Sequence, residues 1–243
     1  LASEEYGDYF AWGETEPKAK YGWAQYKWGN GENKALTKYC NKAAYGEDGF
    51  TDNLTQLLPE DDAAHVNWGG NWRMPTAAEF DELINNCTIE KSTMNGVNGY
   101  LLTSKINGNS IFLPMAGYYN FDLCSDQHQG NRTTCYYWSA DMMYRNTVYT
   151  NINAYNLNSR LTEDGGLSIG NNTRRCGFPI RPVYDNSISD SDSTVRNCYT
   201  FTQEHWDAAT ASWGHGGRGH APADQSCIQG TMVHGIRLKV ARV

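Results

Sequence analysis

The chain has 243 residues, enough for one large domain or for one domain with an appendage. Its formal charge of −7 and pI near 5.3 argue against nucleic acid as a main partner. No apolar run approaches membrane-spanning length, so no membrane insertion is expected, and the opening LASEEYGDYF carries neither a signal-peptide nor a lipid-attachment pattern.

With 16 Tyr, 8 Trp and 24 Gly, the composition predicts an aromatic-cored, loop-rich fold rather than long Leu/Ala helices. Residues 1–75 read as loops punctuated by WGETEPK and GNGENK. Within them LPEDDAAHVNWGG predicts a short helix with an acidic start that ends at Gly69. Asp61 and Asp62 fit that helix start better than an acid/base pair.

The next stretch, NWGGNWRMPTAAEFDELINNC, predicts a second helix over Ala77 to Asn86. Thr76 followed by Glu79 is a capping box, and Pro75 blocks helix upstream. Phe80, Leu83, Ile84 and Cys87 recur at helical spacing, leaving Asp81, Glu82 and Asn85 to solvent. Trp68 and Trp72 read as core, with Arg73 donating to buried carbonyls.

Residues 96–184 read as strands and turns. GYLLTSKINGNSIFLPMAGYY holds two β-rich runs joined around Asn107-Gly108. CYYWSADMM, NTVYTNINAYNL and GFPIRPVY are further strand candidates. NSRLTEDGGLSIGNNTRR, between the last two, reads as surface loop. Residues 185–197 form a polar linker. In the tail, 198–243, Asp207-Ala208-Ala209, Trp213-Gly214, Arg218 and Ala223 repeat Asp62-Ala63-Ala64, Trp68-Gly69, Arg73 and Ala78 at one offset, as a partial second repeat would. The final GIRLKVARV alternates like a strand that could complete a sheet edge.

Reactive constellations are sparse. The 7 cysteines are widely spaced without C-x-x-C. Two readings stand: free or buried thiols, or partial pairing that includes Cys124 with Cys135. No G-x-S-x-G, phosphate-binding glycine loop or calcium-binding carboxylate motif occurs. HGGRGH, with His205 and His234, matches no familiar metal spacing. Neither a metal nor a cofactor is expected.

YGDYFAWGETEPK, DDAAHVNWGGNWRMPTAAEF, NGVNGY, SKINGNSIFLPMAGYY, YYWSA and GFPIRPV occur in this order. Together they resemble the Fibrobacter succinogenes major paralogous domain family, from about Tyr6 to Val183. That family is similar to the C-type-lectin-like fold of formylglycine-generating enzymes and of the variable proteins of diversity-generating retroelements. The resemblance implies an α+β fold: two short helices packed on a small twisted antiparallel sheet, with long loops carrying the ligand face. It makes Trp68, Trp72 and Arg73 a scaffold hub. Three features depart from the pattern. The usual first strand is missing, Met115 replaces a small residue after FLP, and a tail follows Tyr184. The last strand, Gly177 to Val183, would then lack its usual neighbour.

The resemblance points to a non-catalytic ligand-binding or adhesion module of a secreted or cell-surface bacterial or phage protein, gripping a glycan or another protein. Alternatives are an enzyme resembling formylglycine-generating oxidases, and a structural subunit of a surface assembly or virion fibre. The oxidase chemistry needs a pair of reactive cysteines near the end of the fold, where Cys176 stands alone. The binding face is expected between YYWSA and GFPIRPV, over 141–175. Val148, Ile152, Ala154 and Leu157 would anchor one strand. Tyr144, Arg145, Tyr149, Asn151, Asn153, Tyr155 and Asn158 are mostly set in alternation with these anchors, so several would point outward together, with Asn171, Asn172 and Arg174 near the same face. The competing reading is an ordinary solvated loop.

Overall fold

A computed structural model describes residues 3–120, 123–124, 133–143, 151–159, 166–185, 199–200, 228–229, 232–233 and 236–237. The fold is α+β, with short helices and small antiparallel sheets. No helix among the described residues is long and apolar enough to cross a membrane.

Helix α1 (Ala63–Trp68) starts where the acidic cap predicts. One oxygen of Asp62 accepts from the amides of Ala64 at 2.8 Å and His65 at 3.1 Å, and the other accepts from Met74 at 2.8 Å. The cap therefore also fixes strand β1 (Trp72–Arg73), just upstream of Met74. Helix α2 spans Ala77–Asn86 with both halves of its capping box formed. Glu79 does more than cap. Its carboxylate also takes a two-point grip from Arg73, at 2.6 and 2.8 Å, and Asp185 takes Arg73 Nε at 3.2 Å. Arg73 thus serves mainly carboxylates, and Met74 O at 3.2 Å is its one carbonyl partner here. Trp68 and Trp72 are half-buried rather than core, their rings 5.9 Å apart, whereas Met74 between them and the cap is 2 % exposed.

Strands β2 (Cys87–Met94), β3 (Val97–Ser104) and β4 (Ser110–Pro114) form a three-stranded antiparallel meander. The tight turn is Asn95-Gly96, both left-handed at φ 48° and 83°, which twists with the strands. Asn107-Gly108 lies in the longer 105–109 connection of the second hairpin. Short strands β5 (Tyr119–Asn120) and β6 (Leu123–Cys124) pair next. A second three-stranded sheet holds β7 (Tyr136–Met142), β8 (Asn153–Ser159) and β9 (Leu167–Thr173). Strand β9 comes from the segment expected to be surface loop. Its LSIGNNT is poor in β-formers, and cross-strand partners from β8 settle it instead.

GFPIRPVY is not a regular strand. Only β10 (Val183–Tyr184) joins a ladder, with β1, while Phe178 bridges Phe10 and Gly177 bridges Tyr119. The neighbour that seemed missing is therefore Phe10. In the tail, β11 (Tyr199–Thr200) pairs in parallel with β12 (Ile228–Gln229), and β13 (Met232–Val233) pairs with β14 (Ile236–Arg237). The hydrogen-bonded partner of Ile236–Arg237 is thus β13, not 177–183, although β14 lies close to β10. The repeated residues from Asp207 to Ala223 lie outside the described residues.

Alternation along residues 9–12 links two cores. Phe10 and Trp12 join Tyr39, Met74, Trp138, Phe178 and Ile180, while Tyr9 and Ala11 join Tyr21, Tyr26 and Leu36. A third core packs Phe80 and Leu83 of α2 over Leu102, Leu113, Tyr137 and Leu157. Met115 is 9 % exposed and joins this core, which accounts for a large side chain after FLP. Cys40, Cys87, Cys135 and Cys176 are free and buried, so Cys135 is not bridged to Cys124.

Candidate functional site

The β7-β8-β9 sheet has two unlike faces because side chains alternate along each strand. Leu157, Leu167 and Ile169 face α2 and its core. The register puts Tyr136, Asn158 and Ser168 in one row of the other face, and Trp138, Asn156 and Gly170 in the next. Asn172 lies opposite Ala154 on that same side.

These polar side chains form a directed relay. Ser168 Oγ donates to Asn158 Oδ1 at 3.4 Å, Asn158 Nδ2 to Asn156 Oδ1 at 2.9 Å, and Asn156 Nδ2 to Asn172 Oδ1 at 3.1 Å. Asn156 is fully buried and anchors the relay, while Asn158, Ser168 and Asn172 are half-buried at its ends. An amide can make four hydrogen bonds, so Asn158 and Asn172 keep donor and acceptor capacity for a ligand. Gly170 makes room for the arrangement: a Cβ there would stand 2.0 Å from Asn158 Nδ2.

Aromatic rings border the relay. Tyr136, level with Asn158, has its ring 4.8 Å from Tyr118 and 5.0 Å from Phe178. Phe178 is fully buried and stacks on Trp138 at 4.0 Å, so both half-buried tyrosines rest on a rigid base. The face offers hydroxyls, amides and ring surface. Among the described residues no group of His, Cys, Asp and Glu is arranged to hold a metal ion.

The structure divides the residues expected to bind. Tyr144, Arg145 and Tyr149 lie outside the described residues. Asn158 and Asn172 meet in the relay. Asn171 is exposed, but its Oδ1 accepts from Asn153 Nδ2 at 2.7 Å on the opposite face of the sheet. Asn153 and Tyr155 are each 8 % exposed and do not point outward. Asn151 is fully buried with φ 77°, its Oδ1 accepting from the Asn41 amide at 2.6 Å.

Arg174 is the largest departure. It is fully buried, with Nη1 donating to Tyr39 O at 2.9 Å and the guanidinium 5.4 Å from the Trp12 ring and 5.6 Å from that of Tyr26. After β9 the chain turns inward, with Arg174 N on Ile152 O, and the aromatic walls receive the cation. Burial lowers its pKa from the ordinary value, while the nearby Tyr26, Cys40 and Asp52 act the other way.

Sequence reasoning missed Asn156, Ser168, Tyr136 and Tyr118. The signal for Asn156 was parity. Ala154 and Leu157 cannot share a face, so both faces of β8 are covered and the asparagines between them must pair with one another.

Compared with protein-family models, curated proteins and solved structures, the chain matches none.

Proposed function

We propose that this chain is a non-catalytic binding module of a secreted or cell-surface protein, and that it holds a glycan on the face formed by Tyr118, Tyr136, Asn158, Ser168 and Asn172. The observation that carries the reading is the amide relay, anchored on buried Asn156 and open at its half-buried ends. A sugar hydroxyl both donates and accepts, and so does each amide of the relay. Ring surface beside the relay suits the apolar face of a pyranose, and mixed ring and amide contacts are common where binding sites need orientation without charge. The capped helices, the antiparallel sheets and the order of the quoted motifs support a C-type-lectin-like fold.

Burial raises the pKa of Cys176 most, with its contact to Thr173 Oγ1 and nearby Arg175 opposing. A thiol held protonated in this way suits packing rather than nucleophilic or redox work, which favours a binding module over an oxidase. A glycan array with the full chain tests the reading. We expect neutral glycans among the ligands, bound equally with and without EDTA. Absence of glycan binding across the array, or binding that EDTA abolishes, overturns it.

A further inference from the structure

Arg174 and Asn151 suggest a second, interior site. Both side chains are fully buried. Arg174 uses Nη1 for Tyr39 O, yet among the described residues neither its Nε nor its Nη2 has an acceptor. These two nitrogens form one edge of the guanidinium, the fork that grips anions side-on. Asn151 Nδ2 likewise lacks an acceptor, while its Oδ1 holds the amide of Asn41. Arg174 and Asn151 thus flank the same short segment, 39–41, and both bring unused donors to the interior.

The expected counter-charge is committed elsewhere. Asp52 is the acid that acts on Arg174 electrostatically, but its oxygens accept from the amides of Tyr39 at 2.7 Å, Cys40 at 2.9 Å and Leu54 at 3.2 Å. The ring centres of Trp12 and Tyr26 lie 5.4 and 5.6 Å from the guanidinium carbon, and neither residue accepts from the fork. A buried cation whose hydrogen bonds are unmade is costly, and a native interior satisfies such groups. A water oxygen accepts from the fork but leaves the buried charge uncompensated. An anion accepts from every side.

We propose that the fork of Arg174 binds a small monovalent inorganic anion of chloride size as a structural element of the interior. The anion neutralises the guanidinium and ties the turn after β9 to the 39–41 segment. It is separate from the glycan face, which includes neither Arg174 nor Asn151.

The test uses the full chain. Melting temperature is measured against chloride concentration, with gluconate at matched ionic strength as a control too large to enter. The proposal expects a saturating rise with chloride, the same with bromide, and none with gluconate. Arg174→Met is expected to lose this dependence. Because that substitution also removes the buried bond to Tyr39 O, crystals of the unaltered protein grown in bromide supply the second measurement. An anomalous peak within hydrogen-bond distance of Arg174 Nε and Nη2 is the expected result. Identical melting in chloride and gluconate, bromide peaks only at the surface, or a carbonyl or water occupying the fork each overturn the proposal.

Discussion

Phe10 and Phe178 exchange both of their backbone hydrogen bonds, at 2.9 and 3.0 Å, and both side chains are fully buried. This bridge ties the opening segment to the segment beneath the candidate binding face. Phe178 also stacks on Trp138 at 4.0 Å and supports Tyr118 and Tyr136. Phe178→Ala is therefore expected to cost about 3–5 kcal/mol in urea denaturation, the usual range for an emptied aromatic core position. A loss below about 1 kcal/mol would show that the bridge does not organise the core.

The hub around β1 makes a prediction about rank. Met74 is 2 % exposed, whereas Trp72 is half-buried between Trp68 and Tyr184. Met74→Ala should cost about 2–5 kcal/mol and Trp72→Ala less, despite the larger side chain removed. Thr76→Ala should cost about 1 kcal/mol through the lost cap. Equilibrium unfolding of the three variants checks the order, and a larger loss for Trp72→Ala than for Met74→Ala would contradict it.

Glu79 predicts an acid limb in stability. Burial alone would raise its pKa, but the bidentate Arg73 pair and the Thr76 bonds together hold it below the usual 4.5. The folded form thus binds its proton less readily than the unfolded chain. The group's stabilisation is complete above the unfolded value and is lost as pH falls through the folded one. Melting scans between about pH 6 and pH 3 should show a shallower decline for Glu79→Gln than for the unaltered chain. Parallel declines would remove Glu79 from the account.

How much of this was legible in the sequence depended on how local each signal was. The caps at Asp62 and Thr76 act within a few residues, and both helices lie where their spacing puts them. Strand β9 was not legible, because Gly170, Asn171 and Asn172 read as loop until β8 supplies their partners. Arg174 misled for the same reason. An arginine in a polar stretch reads as surface, and only the fold brings Trp12, Tyr26 and Tyr39 around it. Asn95-Gly96 offered a tight hairpin turn as good as Asn107-Gly108, but the charged residues of β2 hid its first strand.

Gly170 gives a test of the relay that leaves the backbone alone. A Cβ at this position meets the Asn158 amide at 2.0 Å, and that amide is the movable end of a side chain. Gly170→Ala should therefore still fold, displace Asn158 with a modest loss of melting temperature from its broken bond to Asn156, and weaken glycan binding. Unchanged affinity in a folded Gly170→Ala protein would show that the position of Asn158 does not matter to the ligand.

The most direct measurement is the affinity of an array-selected glycan for the unaltered chain and for the variant combining Asn158→Ala, Ser168→Ala and Asn172→Ala, by calorimetry. These side chains are half-buried, and the buried anchor Asn156 is left in place. A ligand hydrogen bond is worth about 0.5–1.5 kcal/mol, so losing several should weaken binding by about tenfold or more. The account predicts that loss in a protein that still folds, with a melting temperature lowered because buried Asn156 loses both of its amide partners. Full affinity in the folded triple variant would contradict the assignment of this face as the binding site.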